Sequence, residues 1–242
     1  MAASLMNKQR LGLLHDLEER LGYHFRNTEL LSIALTHRSY VNENQDEVYS
    51  DNERLEFLGD AVLGLCVSDL LTNKYIDFSE GTLSKIRAGI VNEKPLAELA
   101  LKLQLGDCLL LGRGEENSGG RGKDSLLANS LEAVIAAIYL DSGFDETKNT
   151  LATILAPLLE DNNLLSQHFD YKTALQEFCQ KRYKIAPVYT IIDSSGPDHA
   201  KTFEVQVTIA DKITQTGYGK SKKEAQKQAA QKAWEIVHLE EN

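Results

Sequence analysis

The sequence predicts a multi-domain protein in which an all-α domain precedes a small α+β domain with the order α-β-β-β-α. Apolar residues recur at helical spacing over residues 7–165, and no stretch there alternates convincingly with period two. Residues 203–209 do alternate apolar and polar side chains, which is typical of a half-buried strand. The polar stretch Glu160–Gln167 separates the two patterns, so we expect domains over residues 7–165 and 170–239.

The helices of the first domain are predicted from apolar stripes, capping residues and glycine-rich breaks. The first helix carries a stripe made by Leu11, Leu14, Leu17 and Leu21. Asn27 is placed to cap the second helix, because its side chain can accept a hydrogen bond from the first turn. The further helices are predicted over residues 51–71, 82–91 and 125–140, with two more beginning near Asn92 and after Phe144.

The second domain is predicted from strands between two helices. Residues 171–182 have helical spacing, and residues 186–193 and 212–218 have the composition of strands that flank the alternating one. Ser221 and Glu224 have the spacing of a capping box, which marks the start of the last helix.

Composition excludes several classes of protein. An apolar fraction of 42% supports packed cores rather than a disordered chain. We expect no membrane segment and a cytoplasmic location, because no uncharged apolar run reaches about 18 residues and no signal-peptide stretch is visible. Cys66, Cys108 and Cys179 are far apart and odd in number, which indicates reduced core thiols. The six histidines are scattered, and no Cys/His cluster has zinc spacing.

The net charge of −10 is distributed unevenly. Residues 170–242 carry 11 basic and 10 acidic side chains, a balance of +1, whereas residues 1–169 carry 15 and 26, a balance of −11. The two halves therefore use their charges differently, and the overall acidity does not exclude a nucleic-acid partner.

Two predicted helices are apolar nearly all round and carry acids on one face. In Leu55–Val67 and the turn before it, the acids at i, i+3 and i+7 are Glu53, Glu56 and Asp60. Leu126–Leu140 carries one charge, Glu132, with Asn129 one turn earlier on the same face. Such apolar surroundings predict mostly buried helices.

Acids that share a buried face repel one another and lose hydration, so the pattern favours a bound cation. Oxygen ligands indicate Mg²⁺, for which Mn²⁺ can substitute, rather than zinc. A site of this kind is what two-metal phosphodiester hydrolysis requires. The alternative is an acidic stripe that faces solvent or pairs with Arg54 or Lys85.

The run NERLEFLGDAVL, residues 52–63, closely resembles the signature of ribonuclease III, the double-strand-specific endoribonuclease family. Three other segments resemble the family as well: Thr36–Tyr40, Val91–Lys94 and Leu127–Asp141. The resemblance implies a phosphodiester hydrolase that cuts double-stranded RNA with Mg²⁺ and leaves 5′-phosphate and 3′-hydroxyl ends. It also implies processing of ribosomal RNA precursors and of some messenger and small RNAs.

The resemblance carries roles over to single residues. It implies catalytic roles for Asp60, Glu132, Glu53 and Glu80, and metal ligation by Glu56, Asp60, Asn129 and Glu132. The family usually has Asp where this chain has Asn129, whose oxygen can still ligate Mg²⁺ but brings no charge. A catalytically weakened double-stranded-RNA-binding protein is therefore the alternative function, and a dimerisation scaffold without metal binding is a third.

Phe57 matches a family position whose aromatic side chain plugs a socket on the partner subunit, so the resemblance implies a homodimer. A two-fold dimer also suits a duplex, because two related sites can cut the two strands. An ordinary core phenylalanine is the alternative.

The second half resembles the double-stranded-RNA-binding domain. The matching residues are Gln176, Glu177, His199 within Gly196–His199, and the lysines Lys220, Lys222, Lys223 and Lys227. An A-form duplex offers phosphates and 2′-hydroxyls rather than base edges, and a lysine-rich helix start is suited to phosphates. A solvated helix face is the alternative for the lysines. No small-molecule cofactor is expected.

Gly112–Asp124 is predicted to be a flexible loop. It lacks the phosphate-loop pattern, because Asp124 rather than Ser or Thr follows Gly122-Lys123. Its cations, Arg113, Arg121 and Lys123, are candidates for contact with RNA phosphates.

Overall fold

The computed structural model describes residues 2–44, 50–76, 78–160, 170–197, 201–210 and 212–239, with side chains between residues 10 and 237. The chain divides into two compact units, Met1–Leu165 and Ser166–Asn242. The first unit is helical, and the second contains an antiparallel three-stranded sheet flanked by helices. The predicted fold class is therefore confirmed.

The first unit contains long helices joined by short ones. They are α1 (Ala2–Leu21), α2 (Thr28–Ala34), α3 (Arg38–Glu43), α4 (Glu53–Lys74), α5 (Glu80–Ile90), α6 (Glu93–Lys102), α7 (Leu105–Cys108), α8 (Arg113–Asn117), α9 (Asp124–Ser142), α10 (Phe144–Ile154) and α11 (Ala156–Leu159). Asn27 caps α2 as predicted, since its side chain accepts a hydrogen bond from the backbone N–H of Glu29 at 3.1 Å. Helices of four or five residues, such as α7 and α8, were not predicted because they are too short to show a period.

Helix α9 is the centre of the first unit. Its residues from Leu127 to Ile138 are buried apart from Asn129 and Glu132, which are only partly covered. Helices α2, α4, α6 and α10 pack around it. Helix α4 was expected to be mostly buried, but Phe57 is 83% exposed and Leu65 is 58% exposed, so one apolar face of α4 is uncovered.

Gly112–Asp124 is not an irregular loop, and the expectation for it was wrong. It contains α8 and a 3₁₀ turn at Gly120–Gly122. Lys123 pairs with Glu115, and the Arg121 guanidinium pairs with Glu116 and donates to the carbonyl of Gly106 at 2.8 Å. Two of the three cations considered for RNA contact are thus used within the unit.

The histidines are not all scattered, which corrects a second expectation. Helix α1 ends at Leu21, and Gly22, whose φ is +66°, turns the chain back so that His24 stacks on His15 with ring centroids 6.2 Å apart. The sequence separation of these two histidines gave no helical or zinc-finger spacing, so the contact could not be read from a motif.

The second unit consists of α12 (Tyr171–Tyr183), β1 (Val188–Ser195), β2 (Thr202–Ile209), β3 (Ile213–Gly219) and α13 (Lys222–Leu239), with the strand order β1-β2-β3. Val205, Val207 and Ile209 are fully buried, so the alternation predicted for this strand is confirmed. Helix α13 packs on the sheet at Gly217, where a Cβ would lie 2.3 Å from the Ala229 backbone nitrogen.

The start of α13 differs slightly from an ideal capping box. The backbone N–H of Glu224 donates to the Ser221 hydroxyl at 3.2 Å, as predicted. The Glu224 carboxylate accepts from the backbone N–H of Lys220 at 2.8 Å. In an ideal box it would accept from Ser221.

Cys66, Cys108 and Cys179 are free and buried, as expected. Among the helices that the structure describes, none is both long and apolar enough to cross a membrane.

Candidate functional site

The two acid-bearing helices of the first unit meet at Gly59. A Cβ atom at this position would lie 1.9 Å from the carbonyl oxygen of Glu132, so only glycine permits the contact without a shift of the backbone. Glu56 and Asp60 lie within one turn of Gly59 on α4. The crossing therefore brings acids of α4 and α9 into one neighbourhood.

The pKa values of these acids show that their charges act on one another. Burial, with the added charges of Asp60 and Glu56, raises the pKa of Glu132 to about 7. Burial and the charge of Glu53 raise the pKa of Glu56, while a side-chain hydrogen bond to Asn129 opposes that shift. Glu132 is thus close to half-protonated at neutral pH, and Asn129 contacts the acid set directly.

The carboxylate oxygens of these acids do not converge on a single position for an ion. The carboxylate oxygens of Glu56, Asp60 and Glu132 do not all lie within 4.8 Å of one another. Like charges in one site repel, and a glutamate can move its carboxylate several ångströms by rotating its side chain. The structure therefore shows an acidic neighbourhood shared by two helices rather than a closed three-carboxylate cage.

A pocket at the α4–α9 crossing holds part of the predicted set. Glu53, Glu56 and Asn129 line it together with His37 and Arg38. The Arg38 guanidinium donates to the Glu53 carboxylate at 2.9 Å, and both side chains are more than half exposed. Glu53 thus pairs with Arg38, a partner that sequence reasoning missed, rather than with Arg54 or Lys85.

Buried Asn52 anchors the acidic end of α4. Its backbone N–H donates to the Thr36 carbonyl at 2.9 Å, and its side-chain amide donates to the Ala34 carbonyl at 3.3 Å. Its own carbonyl accepts from the N–H of Glu56 at 2.8 Å. These bonds hold the first turn of α4 against the end of α2 and so position Glu53 and Glu56.

Glu80 stands apart from this group. It is exposed in the first turn of α5, and its carboxylate accepts a hydrogen bond from the Ser84 hydroxyl at 2.9 Å. Helix α5 packs against α4, which places Glu80 on an element next to the acids.

Phe57 begins an exposed apolar stripe on α4. Ala61 and Leu65 follow at i+4 and i+8, and both are exposed. This stripe, Phe57, Ala61 and Leu65, is a contiguous exposed apolar surface. Such surfaces are uncommon on monomers and often mark sites of association.

Of the predicted duplex-binding residues that the structure describes, most are exposed on the second unit. Gln176 and Glu177 are exposed on α12. Lys220, Lys222 and Lys223 are exposed around the first turn of α13, and Lys227 is half-buried one turn later. His199 lies outside the described residues.

Comparison with known protein families matches both units. The ribonuclease-III-like family matches residues 27–158, and the double-stranded RNA binding motif matches residues 171–237.

Curated relatives match nearly the whole chain. Ribonuclease 3 of Syntrophobacter fumaroxidans is 48% identical over 228 residues, which cover 93% of this chain and 94% of that protein. Ribonuclease 3 of Bacillus velezensis is 47% identical over 218 residues, covering 90% and 87%.

Solved structures match the first unit. The crystal structure of the nuclease domain of Campylobacter jejuni ribonuclease III is 47% identical, with a TM-score of 0.53 and coverage of 61% of this chain and 94% of that one. A second structure of that domain, also 47% identical with a TM-score of 0.53, concerns flexibility in a region involved in dimer formation; the match covers 61% of this chain and 96% of that one. On the strength of these matches, the chain belongs to the ribonuclease III family.

Proposed function

We propose that this endoribonuclease hydrolyses phosphodiester bonds of double-stranded RNA in an Mg²⁺-dependent reaction that leaves 5′-phosphate and 3′-hydroxyl ends. The observation that carries the proposal is the contact between Gly59 and Glu132, which joins the acids of α4 and α9. Burial first, and then the charges of Asp60 and Glu56, raise the pKa of Glu132 to about 7, which reports the cost of holding a carboxylate there. A bound cation offsets such a cost.

The donor set fits a hard divalent cation. Glu56, Asp60 and Glu132 offer carboxylate oxygens, and Asn129 offers an amide oxygen. Mg²⁺ usually keeps several water molecules and takes only one or two carboxylates directly, so a spread beyond 4.8 Å is compatible with ligation partly through water. When bound, Mg²⁺ lowers the pKa of a coordinated water and neutralises charge on the phosphate oxygens. Mn²⁺ has the same ligand preference and can substitute.

Each of the protein's own side chains has a distinct role in this proposal. The pKa of the Glu132 carboxyl is about 7 in the metal-free chain, because burial and the charges of Asp60 and Glu56 disfavour its ionised form, so ligation of a cation would require it to release its proton. The hydrogen bond between Asn129 and Glu56 orients the Glu56 carboxylate across the helix crossing. Asp60 contributes charge beside Glu132. Glu53 and Glu80 are proposed as outer acids that line the edge of the cleavage site.

Arg38 completes the rim of the pocket. Its guanidinium is bound to Glu53 and is 64% exposed, so it remains able to donate to a phosphate oxygen. An acidic site that receives a polyanion benefits from such a cation at its edge.

The division of labour follows the two units. We assign residues 7–165 to the endoribonuclease domain and residues 170–239 to the duplex-binding domain. The exposed lysines at the start of α13 would contact phosphates, and Gln176 and Glu177 on α12 would contact a minor groove, together with His199. Recognition would then depend on duplex shape more than on base sequence.

The functional unit is proposed to be a homodimer. The exposed stripe of Phe57, Ala61 and Leu65 supports this, since a partner subunit would cover it. Ribosomal RNA precursors and some messenger and small RNAs, acted on in the cytoplasm, are the substrates that the family resemblance implies.

A second candidate function is favoured by Asn129. One ligand charge is missing relative to the family pattern, which weakens a site for a hard cation. In that case the chain binds duplex RNA and cleaves it poorly or not at all.

Cleavage of a long perfect RNA duplex in Mg²⁺ by the full chain distinguishes the two. Glu132→Gln should reduce cutting to a small residual rate while leaving duplex affinity, measured without divalent cations, unchanged. Glu146→Gln is the matched control, because Glu146 is exposed on α10 of the same unit. Equal and negligible cutting by the parent and Glu132→Gln would favour the binding protein.

A further inference from the structure

A compact group of metal-ligating side chains lies at the end of α1, apart from the acids of α4 and α9. His15, Glu18 and His24 each offer a ligand atom, and these atoms lie within 4.8 Å of one another. The Nδ1 atoms of His15 and His24 lie 3.7 and 3.8 Å from the same Glu18 oxygen, Oε2. Both imidazoles therefore turn the same edge towards one carboxylate oxygen.

The backbone builds this arrangement. The N–H of Gly22 donates to the Glu19 carbonyl at 3.2 Å, and the N–H of Tyr23 donates to the Glu18 carbonyl at 3.1 Å. This pair of bonds around a left-handed glycine is a Schellman turn, which ends the helix and reverses the chain. His24 is thereby carried back over His15, and the rings stack with an interplanar angle of 27°.

The carboxylate between the rings is held in place. Glu18 is only 8% exposed, and its Oε1 accepts the backbone N–H of Phe25 at 2.8 Å. Its other oxygen, Oε2, faces the two imidazoles. Because the side chains of His15 and His24 are 66% and 64% exposed, an ion can reach the group from solvent.

A second carboxylate lies at the opposite edge of both rings. Glu19 Oε1 is 3.9 Å from His15 Nε2 and 3.6 Å from His24 Nε2. Histidines that ligate a metal through one nitrogen commonly present the other N–H to a carboxylate, which fixes the tautomer. At these distances Glu19 is an ion-pair neighbour of both rings rather than a hydrogen-bond acceptor, and a small side-chain rotation would let it accept from an Nε2–H group.

We propose that His15, Glu18 and His24 bind a divalent transition-metal ion of the Zn²⁺ class, with Glu19 orienting the two imidazoles. Two imidazoles and one carboxylate suit Zn²⁺, Co²⁺ or Ni²⁺ better than Mg²⁺. A tetrahedral Zn²⁺ with ligands at about 2.0–2.1 Å needs ligand atoms about 3.3 Å apart, so the His–Glu18 separations must shorten by roughly 0.5 Å and the His15–His24 separation, which is within 4.8 Å, by up to about 1.5 Å. Small rotations of exposed imidazoles supply that change.

The consequence of binding is structural. The ion would join the last turn of α1 to the segment that leads into α2, so it would stabilise the folded first unit in proportion to ion concentration. The site is independent of RNA cleavage, because none of its ligands belongs to the proposed catalytic set.

Calorimetric titration of the full chain with Zn²⁺, with Mg²⁺ in excess to occupy carboxylate-only sites, tests the proposal. The parent should take up one Zn²⁺ tightly, and His15→Gln and His24→Gln should each weaken that uptake by about 100-fold or more, because losing a direct ligand costs at least as much as losing an outer-shell partner. Asp16→Asn is the matched control, since Asp16 is exposed on the same turn and should leave uptake unchanged. Zn²⁺ should also raise the unfolding temperature of the parent but not of His24→Gln.

Two outcomes would overturn the proposal. The parent could show no tight Zn²⁺ uptake, or uptake could persist unchanged in His24→Gln, as it would if the buried thiols were the ligands. The cluster would then be a set of histidine–carboxylate ion pairs without a metal.

Discussion

Gly59 on α4 lies directly against the backbone of Glu132 on α9, with room for a hydrogen atom but not for a methyl group. This contact determines how closely the acids of the two helices approach one another. The distance between the helices at this point therefore controls both the packing of the first unit and the geometry of the proposed cleavage site.

Gly59→Ala should push α4 away from α9. We expect a loss of about 1–3 kcal/mol in the free energy of unfolding, because an extra methyl group cannot be accommodated against a backbone carbonyl. Cleavage should fall more than stability alone explains. Urea unfolding and duplex cleavage by the still-folded fraction measure the two effects.

Gly12→Ala is the matched control for that change. Gly12 lies in α1, and a Cβ there meets nothing within 4 Å. Alanine favours a helix over glycine by about 0.5–1 kcal/mol, so this variant should gain stability and keep full activity. Equal behaviour of the two variants would show that the Gly59 contact is not tight.

The pKa of Glu132 predicts a pH dependence of stability. In the folded chain it is about 7, against an ordinary value of 4.5. Between about pH 4.5 and 7 the folded state therefore binds more protons than the unfolded state, and this group lowers the free energy of unfolding as the pH rises.

Glu132→Gln removes that effect. Without divalent cations, the variant should be more stable than the parent at pH 8 by about 1 kcal/mol, a figure reduced for the partial exposure of the side chain. The difference should shrink towards pH 5. Denaturant unfolding at both pH values checks this, and a variant less stable than the parent at pH 8 would contradict it.

Asn129→Asp restores a charge at the helix crossing and tests the effect of the departure from the family pattern. An added ligand charge strengthens a hard-cation site, so the Mg²⁺ concentration for half-maximal cleavage should fall by about tenfold. Asn149→Asp, exposed on α10, controls for the change in net charge. An unchanged Mg²⁺ requirement would remove Asn129 from the ligand set.

Phe57→Ala should weaken self-association without unfolding the chain. Phe57 is 83% exposed, so the isolated unit loses little packing, whereas an aromatic anchor in an interface is worth about 2 kcal/mol or more. Sedimentation at several concentrations should show a dissociation constant raised about 30-fold or more. Leu101→Ala, an exposed leucine on α6, is the control and should change nothing.

Local patterns predicted much of this molecule. The alternation of Phe203, Val205, Val207 and Ile209 identified β2, and Asn27 identified the start of α2, because each signal depends on neighbours in sequence. Glu53, Glu56 and Asp60 could be placed on one face from spacing alone.

Tertiary contacts were not predictable in the same way. The approach of Gly59 to Glu132 joins residues more than seventy positions apart, and the Arg38–Glu53 pair joins the start of α3 to the start of α4. The meeting of His15 and His24 depends on a turn whose direction is set by the backbone of Gly22. Periodicity carries no information about such contacts, although a glycine at the end of α1 was a signal for that turn.

Glu56 and Glu132 are proposed to act from two helices as one metal-dependent centre. A double-mutant cycle with Glu56→Gln and Glu132→Gln, measured as Mg²⁺-dependent cleavage of a perfect duplex by the full chain, tests it most directly. Groups that act as a unit give strongly non-additive losses, so the double variant should be no slower than the slower single variant. Losses that simply multiply would contradict the claim and show that the two acids work independently.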